Sequence, residues 1–284
     1  MLILLDQALD QWNCLVEQEG KNSYRILPSS SVDQKDGLQQ HGLSPLAHEH
    51  AIDSCPASWR EKICEWCYEV VDHCDIDRDV VGISLFYFDK YLSLQTQFAE
   101  SLVQLVAMTS LYLAVKLNST RKISVSSIVA LGKGCIRVDQ VLKMEICVMK
   151  KLHWHLNPPT PSIYLNVINP LIDVCAGDAQ ASYEISELSR YLLELSVCDG
   201  FFTDKNPSSI AYASILVATE NLSSFAKIER RFREYQLDKS PHVTQLCAMR
   251  LRQVYRLAVP SETVHEEAPG SEGLSPSFVF DLHS

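Results

Sequence analysis

Between Ser58 and Val259 apolar residues recur at helical spacing, and strand-like alternation is hard to find. Two long segments carry no polar face: LVQLVAMTSLYLAVKL (102–117) and PSSIAYASILVATENL (207–222). A helix apolar all round is buried. The small residues Ala107, Ser110 and Ala114, then Ala211, Ala213, Ser214 and Ala218, let neighbours approach closely. Each segment lies near the middle of about 100 residues, and Pro158, Pro159 and Pro161 separate the two halves. The pattern predicts an all-α fold of two helical bundles, each wrapped round a central helix, as a divergent internal repeat.

The ends read differently. Leu4, Leu5, Ala8, Leu9, Trp12, Leu15 and Val16 give residues 1–18 an amphipathic helix that must dock on something. Residues 20–57 lack a clear period, and residues 260–284 are acidic with Pro, Ser and Gly, the composition of mobile chain. The expected divisions are 1–57, a helix and a flexible segment; 58–157 and 158–259, the two bundles; and 260–284, an acidic tail. Thr160-Pro161, Asn206-Pro207 and Ser240-Pro241 each set a capping residue before a proline at the first helical position. Ser58 and Glu61, after Pro56, predict a capping box.

Composition narrows the chemistry. The 284 residues carry a net charge of -10, which disfavours general binding to phosphate backbones. Arg230, Arg231 and Arg233 read as a solvated helix face. MLILLDQALD is too short in apolar residues for a signal-peptide core, and no segment is expected to approach the roughly 20 residues of a membrane span. The ten cysteines sit singly in apolar stretches, as small hydrophobes in a reduced, intracellular protein. The sequons at Asn118 and Asn221 then carry no meaning.

KICEWCYEV holds the C-x-x-C pair Cys64 and Cys67. Redox pairs sit at a helix N-terminus, where the dipole lowers a thiol pKa. Here the helix starts earlier, and Ile63, Cys67, Val70, Val71 and Cys74 form its core stripe. No second C-x-x-C and no finger-spaced His pair supports zinc. LGKGCIR lacks the Walker spacing, and the Asp199-Gly200-Phe201 of CDGFF has no kinase loops beside it. Neither a metal nor an organic cofactor is expected, and the chain reads as a binding protein rather than an enzyme.

Several motifs, in order, resemble the cyclin family over about 200 residues. WREKICEWCYEVV (59–71) is similar to the opening helix through Arg60, Trp66, Glu69 and Val70. RDVVGISLFYFDKYLS (78–93) resembles the second helix with Asp89 and Lys90. LVQLVAMTSLYLAVKL resembles the buried third helix, ending in Lys116. VDQVLKMEICVMKKLHWHLNPPTP (138–161) and ELSVCDGFFTDKNPSSIAYASILVAT (194–219) resemble the fifth helix and the second repeat.

The resemblance implies two tandem five-helix cyclin folds plus an N-terminal docking helix. It implies a non-catalytic subunit that binds a cyclin-dependent Ser/Thr kinase as a heterodimer, in cell-cycle control, in the nucleus, the cytoplasm or both. Lys116 and Glu145 would face the kinase, with Leu117, Ile146, Met149, Trp154 and Leu156 around them. The N-terminal helix would dock near that face. Trp59, Ile63, Trp66, Glu69, Val103 and Gln104 match a substrate-docking patch for kinase substrates or inhibitors, although Lys62 replaces an apolar residue and would repel basic peptides. Ser44 and Ser275 precede prolines in the loose ends and are candidate phosphorylation sites. The alternatives are a cyclin-fold transcription regulator, a nutrient-signalling cyclin and a thiol enzyme using Cys64 and Cys67.

Overall fold

The two apolar segments each become the third helix of a five-helix bundle. A computed structural model describes residues 2–21, 55–95, 98–132, 134 and 136–259; Ser44 and Ser275 lie outside them. The chain divides into two compact units between Leu156 and Asn157, with residues 1–25 grouped with the second. The first unit holds α2 (Ala57–His73), α3 (Asp79–Ser93), α4 (Glu100–Asn118), α5 (Val125–Leu131) and α6 (Val138–Lys151). The second holds α1 (Leu2–Glu19), then α7 (Pro161–Ala176), α8 (Ala179–Cys198), α9 (Pro207–Thr219), α10 (Phe225–Glu234) and α11 (Pro241–Ala258).

Helix α4 packs on α3, α5 and α6, and α9 packs on α7, α8, α10 and α11. Both are buried nearly all round, including Thr109 and Ser110 in α4 and Ser208, Ser209 and Ser214 in α9. By length and composition α4 could cross a membrane, contrary to the expectation that no segment comes close. In the bundle its apolar sides are occupied by neighbouring helices.

The capping expectations divide. Thr160 accepts the Ile163 amide, as its sequence position predicts. Asn206 makes no such bond; the Ser208 amide donates instead to the Glu19 carboxylate at 2.9 Å, and the Ser208 hydroxyl to its other oxygen at 3.0 Å. Ser240 also fails to cap through its side chain, and Asp238 accepts from the Ser240 amide and the Thr244 hydroxyl. The Ser58–Glu61 box does not form. Helix α2 begins two residues earlier, with Pro56 as its cap, so Ser58 lies inside the first turn.

Three helices end in the same way. Asp75, His153 and Gln236 have φ of 51°, 49° and 52° and follow the C-caps of α2, α6 and α10. In each, the next amide reaches back to the carbonyl five residues earlier: Ile76 to Val71, Trp154 to Met149 and Leu237 to Phe232. This is the Schellman turn, which satisfies carbonyls a helix end leaves open. Ile76 and Leu237 then fold back into the core, as the apolar residue after such a turn usually does.

Cys64 and Cys67 are both fully buried in α2, so its core face is wider than the stripe drawn from spacing, while Cys74 is only partly buried. Burial pushes the Cys247 thiol up to about 11 and the Cys55 thiol up to about 12. In labelling with an aromatic disulfide at pH 8, Cys14 and Cys147, both exposed, should react within seconds. Cys64, Cys67, Cys175 and Cys247 should react only on unfolding, since reaction needs an accessible thiolate. Fast labelling of Cys64 or Cys67 in the native protein would revive thiol chemistry.

Candidate functional site

Lys116 is in the last turn of α4, and Glu145 is in the middle of α6. Residues 29 apart in sequence meet because α6 packs along α4. The Lys116 Nζ donates to Glu145 Oε1 at 2.6 Å. The two ends of the pair differ: the Glu145 side chain is 8% exposed and that of Lys116 48%. The carboxylate is thus sunk in the surface and the ammonium stands over it, above the Tyr112 ring at 5.6 Å. The hydrogen bond to Glu145 raises the Lys116 ammonium above its ordinary value. The Glu145 and Tyr112 charges add to this, and partial desolvation opposes it. A raised lysine contributes stability that is fully present below its unfolded value and is lost as pH climbs through the folded one. The lysine end of the pair therefore stays charged through neutrality.

The end of α4 is closed by cations and amides. Asn118 Nδ2 donates to the Ala114 carbonyl. Lys122 Nζ donates to the Lys116 carbonyl at 2.8 Å and to that of Ser119. A cation there also complements the helix dipole.

The same elements also carry exposed apolar residues. Leu117, Ile146 and Trp154 are among the most exposed large apolar residues described, and Met149 and Leu156 are half-buried. Leu142, which sequence reasoning missed, is exposed too and lies one turn before Ile146. Its signal was available: Leu142, Ile146 and Met149 recur at i, i+4, i+7, whereas Val141, Met144 and Val148 face the core.

Trp154 is the residue after the α6 Schellman turn, yet it is 65% exposed. It is itself left-handed, with φ 61°. Two consecutive left-handed residues without a glycine cost about 1–2 kcal/mol each. The exit is held by Tyr87, a fully buried side chain whose hydroxyl donates to the Leu156 carbonyl. His155 adds a ring contact to the Leu152 carbonyl at 3.2 Å.

The second expected cluster is built differently. Ile63 and Val103 are core residues with 1% and 0% exposure, and Trp59 and Trp66 are also buried. Glu69 is exposed and Gln104 half-buried. The apolar residues of this patch lie largely within the bundle, and Glu69 and Gln104 are its members nearer the surface. The family markers Arg60 and Asp89 meet beside it. Arg60 Nε donates to both Asp89 oxygens at 3.0 and 3.1 Å, and Nη2 donates to Oδ2 at 2.9 Å. Asp199 of CDGFF caps the short 3-10 turn Gly200–Phe202 through the Phe201 amide and pairs with Arg250 at 2.6 Å, a structural task. Arg230 and Arg233 are exposed and pair with Glu234 and Glu229 on their own helix, as a solvated face does, whereas Arg231 also pairs with Glu234 but is half-buried.

Comparison with known proteins agrees with this architecture. The family model described as Cyclin, N-terminal domain, matches residues 37–157, and that described as Cyclin, C-terminal domain, matches residues 159–268. The chain belongs to the cyclin family. It is 29% identical over 174 residues to G1/S-specific cyclin-E1 of Danio rerio, covering 60% of this chain and 41% of that protein. It is 28% identical over 185 residues to G2/mitotic-specific cyclin-A of Drosophila melanogaster, covering 65% and 36%. It is 26% identical over 165 residues to G1/S-specific cyclin-D1 of Bos taurus, covering 58% and 55%. The chain thus spans about a third to a half of the length of these relatives. In fold it is similar to a viral cyclin from herpesvirus saimiri, with a TM-score of 0.59 at 14% identity over 72% of this chain and 88% of that one. A chain of the CAK complex from Chaetomium thermophilum bound to ATP-gamma-S gives 0.55 at 15% identity, over 69% and 63%.

Proposed function

We propose that this cyclin is the regulatory subunit of a cyclin-dependent Ser/Thr kinase, acting in cell-cycle control in the nucleus or cytoplasm, and that it supplies no catalytic group. The observation that carries the proposal is the Lys116–Glu145 pair, a buried carboxylate under an exposed ammonium, on elements that also carry exposed apolar residues. An ion pair with exposed apolar residues on the same helices suits a partner helix and loop: the apolar residues supply area, and the charges fix register. Similarity to cyclins named for G1/S and for G2/mitosis supports the cell-cycle reading.

The mechanism is a shift of population. The cyclin surface binds the kinase state whose regulatory helix is held inward, so that the helix glutamate pairs with the strand lysine that positions ATP phosphates. The patch of Trp59, Ile63, Trp66 and Val103 takes no part in substrate docking in this reading, because those side chains are buried.

The test is to mix the purified protein with a panel of monomeric cyclin-dependent kinases and follow phosphorylation of a Ser-Pro peptide. We expect activation of at least one kinase. Lys116→Ala/Glu145→Ala should weaken the complex by about 2–5 kcal/mol, roughly 30-fold or more in affinity. No binding to any kinase tried would overturn the function. Activation untouched by the double change would keep the function and move the face elsewhere.

A further inference from the structure

The second unit repeats the α4–α6 face with different side chains. Ala107, Ser110 and Ala114 of α4 fall on Ala211, Ser214 and Ala218 of α9 at one constant offset, which also puts Lys116 on Glu220. The four buried residues of α6, Val141, Met144, Glu145 and Val148, fall with the same spacing on the four of α11, Thr244, Cys247, Ala248 and Leu251. Exposed Ile146 then corresponds to exposed Met249, and the Glu145 carboxylate to the Ala248 methyl. Beside that methyl lies a groove of about 690 Å³ between α9, α10 and α11, with Tyr212, Leu216, Phe232 and Met249 in its apolar lining.

The polar lining is Arg233, Lys239 and Arg252 against Glu229 and Asp238, with Gln236, Gln245 and Thr244 between them. Arg233 pairs with Glu229 at 2.9 Å, and Arg252 turns to Glu220 at 2.9 Å. Asp238 is taken up by the Ser240 amide and the Thr244 hydroxyl. Lys239 is exposed and has no ionic partner among the described residues. The groove therefore carries a cationic excess in a chain of net charge -10.

We propose that this groove seats the chain's own segment FVFDL, residues 278–282, with its apolar side chains on the Tyr212–Met249 lining and the acidic tail against Lys239. This stands apart from the kinase reading. Residues 260–284 hold Glu262, Glu266, Glu267, Glu272 and Asp281 and no lysine or arginine, and their large apolar residues gather at Phe278, Val279, Phe280 and Leu282. Charge and apolarity thus match the groove on both counts. The tether also fits. Helix α11 is one wall of the groove and leads directly into the tail. Arg252 lies about 10 Å back along that helix from Val259, and residues 260–277 can extend to about 60 Å. A segment so tethered acts at an effective concentration on the order of millimolar, so modest contacts suffice to hold it.

Photo-crosslinking in the full-length chain tests this, with p-benzoylphenylalanine in place of Phe280. Irradiation should join the tail to Met249 and Leu216 within a single chain. Lys239→Glu, a change at an exposed position, should lower the yield by about fivefold, and 0.5 M salt, on the order of a 4 Å screening length, should lower it too. Arg121→Glu, in the first unit, should leave it unchanged. A second readout needs no label: peroxide should oxidise Met249 several times faster in Phe278→Ala/Phe280→Ala than in the parent chain. Adducts only between two chains would overturn the proposal in favour of a second copy as occupant. Adducts away from the groove, a yield indifferent to Lys239→Glu, or unchanged Met249 oxidation would overturn it outright. Kinase binding is measured separately, so either reading can fail without the other.

Discussion

Replacing Asp89 with alanine should lower the unfolding free energy by about 3–5 kcal/mol, the usual cost of orphaning one member of a buried ion pair. The pair is a fork of three donor–acceptor contacts, and its side chains are 12% and 10% exposed. Arg60 comes from α2 and Asp89 from α3, so the pair ties the two helices together. Removing the carboxylate takes away the three contacts it accepts from the guanidinium, in surroundings that solvate a charge poorly. Replacing both ends with apolar residues of similar volume, as in Arg60→Met/Asp89→Leu, should be close to neutral, because two desolvation penalties vanish with the attraction. A double-mutant cycle in urea checks both statements. A loss below about 1 kcal/mol for Asp89→Ala would mean that the pair behaves as an exposed one.

This pair also shows what a sequence reveals and what it hides. Arg60 and Asp89 stand out singly as cyclin markers, but nothing in their 29-residue separation says that they touch. The central helices were legible because a helix without a polar face has only one place to go. Lys116 and Glu145 were placed by resemblance, and packing of α6 along α4 supplied the contact. Surface and core were harder to separate. Ile63 and Val103 match partner-facing positions but fill the bundle, whereas Leu142 went unnoticed on an exposed stripe. Trp154 was placed at the surface by resemblance alone, since the left-handed backbone that precedes its exposed side chain has no signal in residue spacing. Long-range capping was invisible: the Ser208 amide that Asn206 leaves open turns to Glu19, 189 residues away.

The N-terminal helix supplies the second large effect. Trp12→Ala should destabilise the second unit by about 3–5 kcal/mol, the range for deleting a buried large aromatic. Trp12 is fully buried. Its ring meets Tyr164 of α7 edge-on at 4.8 Å and Phe232 of α10 at 6.2 Å, and Phe232 in turn stacks on Tyr212 of α9 at 4.2 Å. One residue of α1 therefore joins an aromatic chain running through three helices of the bundle. Its indole N–H donates at 3.3 Å to the carbonyl of Leu237, in the turn that closes α10. Trp12→Phe separates the two contributions: it keeps a ring and strands that carbonyl, so it should cost about 1–3 kcal/mol. Glu19 gives an independent handle at the other end of the helix. Glu19→Gln keeps an acceptor for Ser208 but removes the charge that favours the start of α9, and it should cost about 0.3–1 kcal/mol. The measurement is hydrogen exchange beside urea unfolding. With Trp12→Ala, protection should fall first in α1, α7 and α10. If the amides of α7 and α10 kept their protection while only α1 exchanged, the helix would be a loosely attached strap and its tryptophan no part of the core that holds the bundle together.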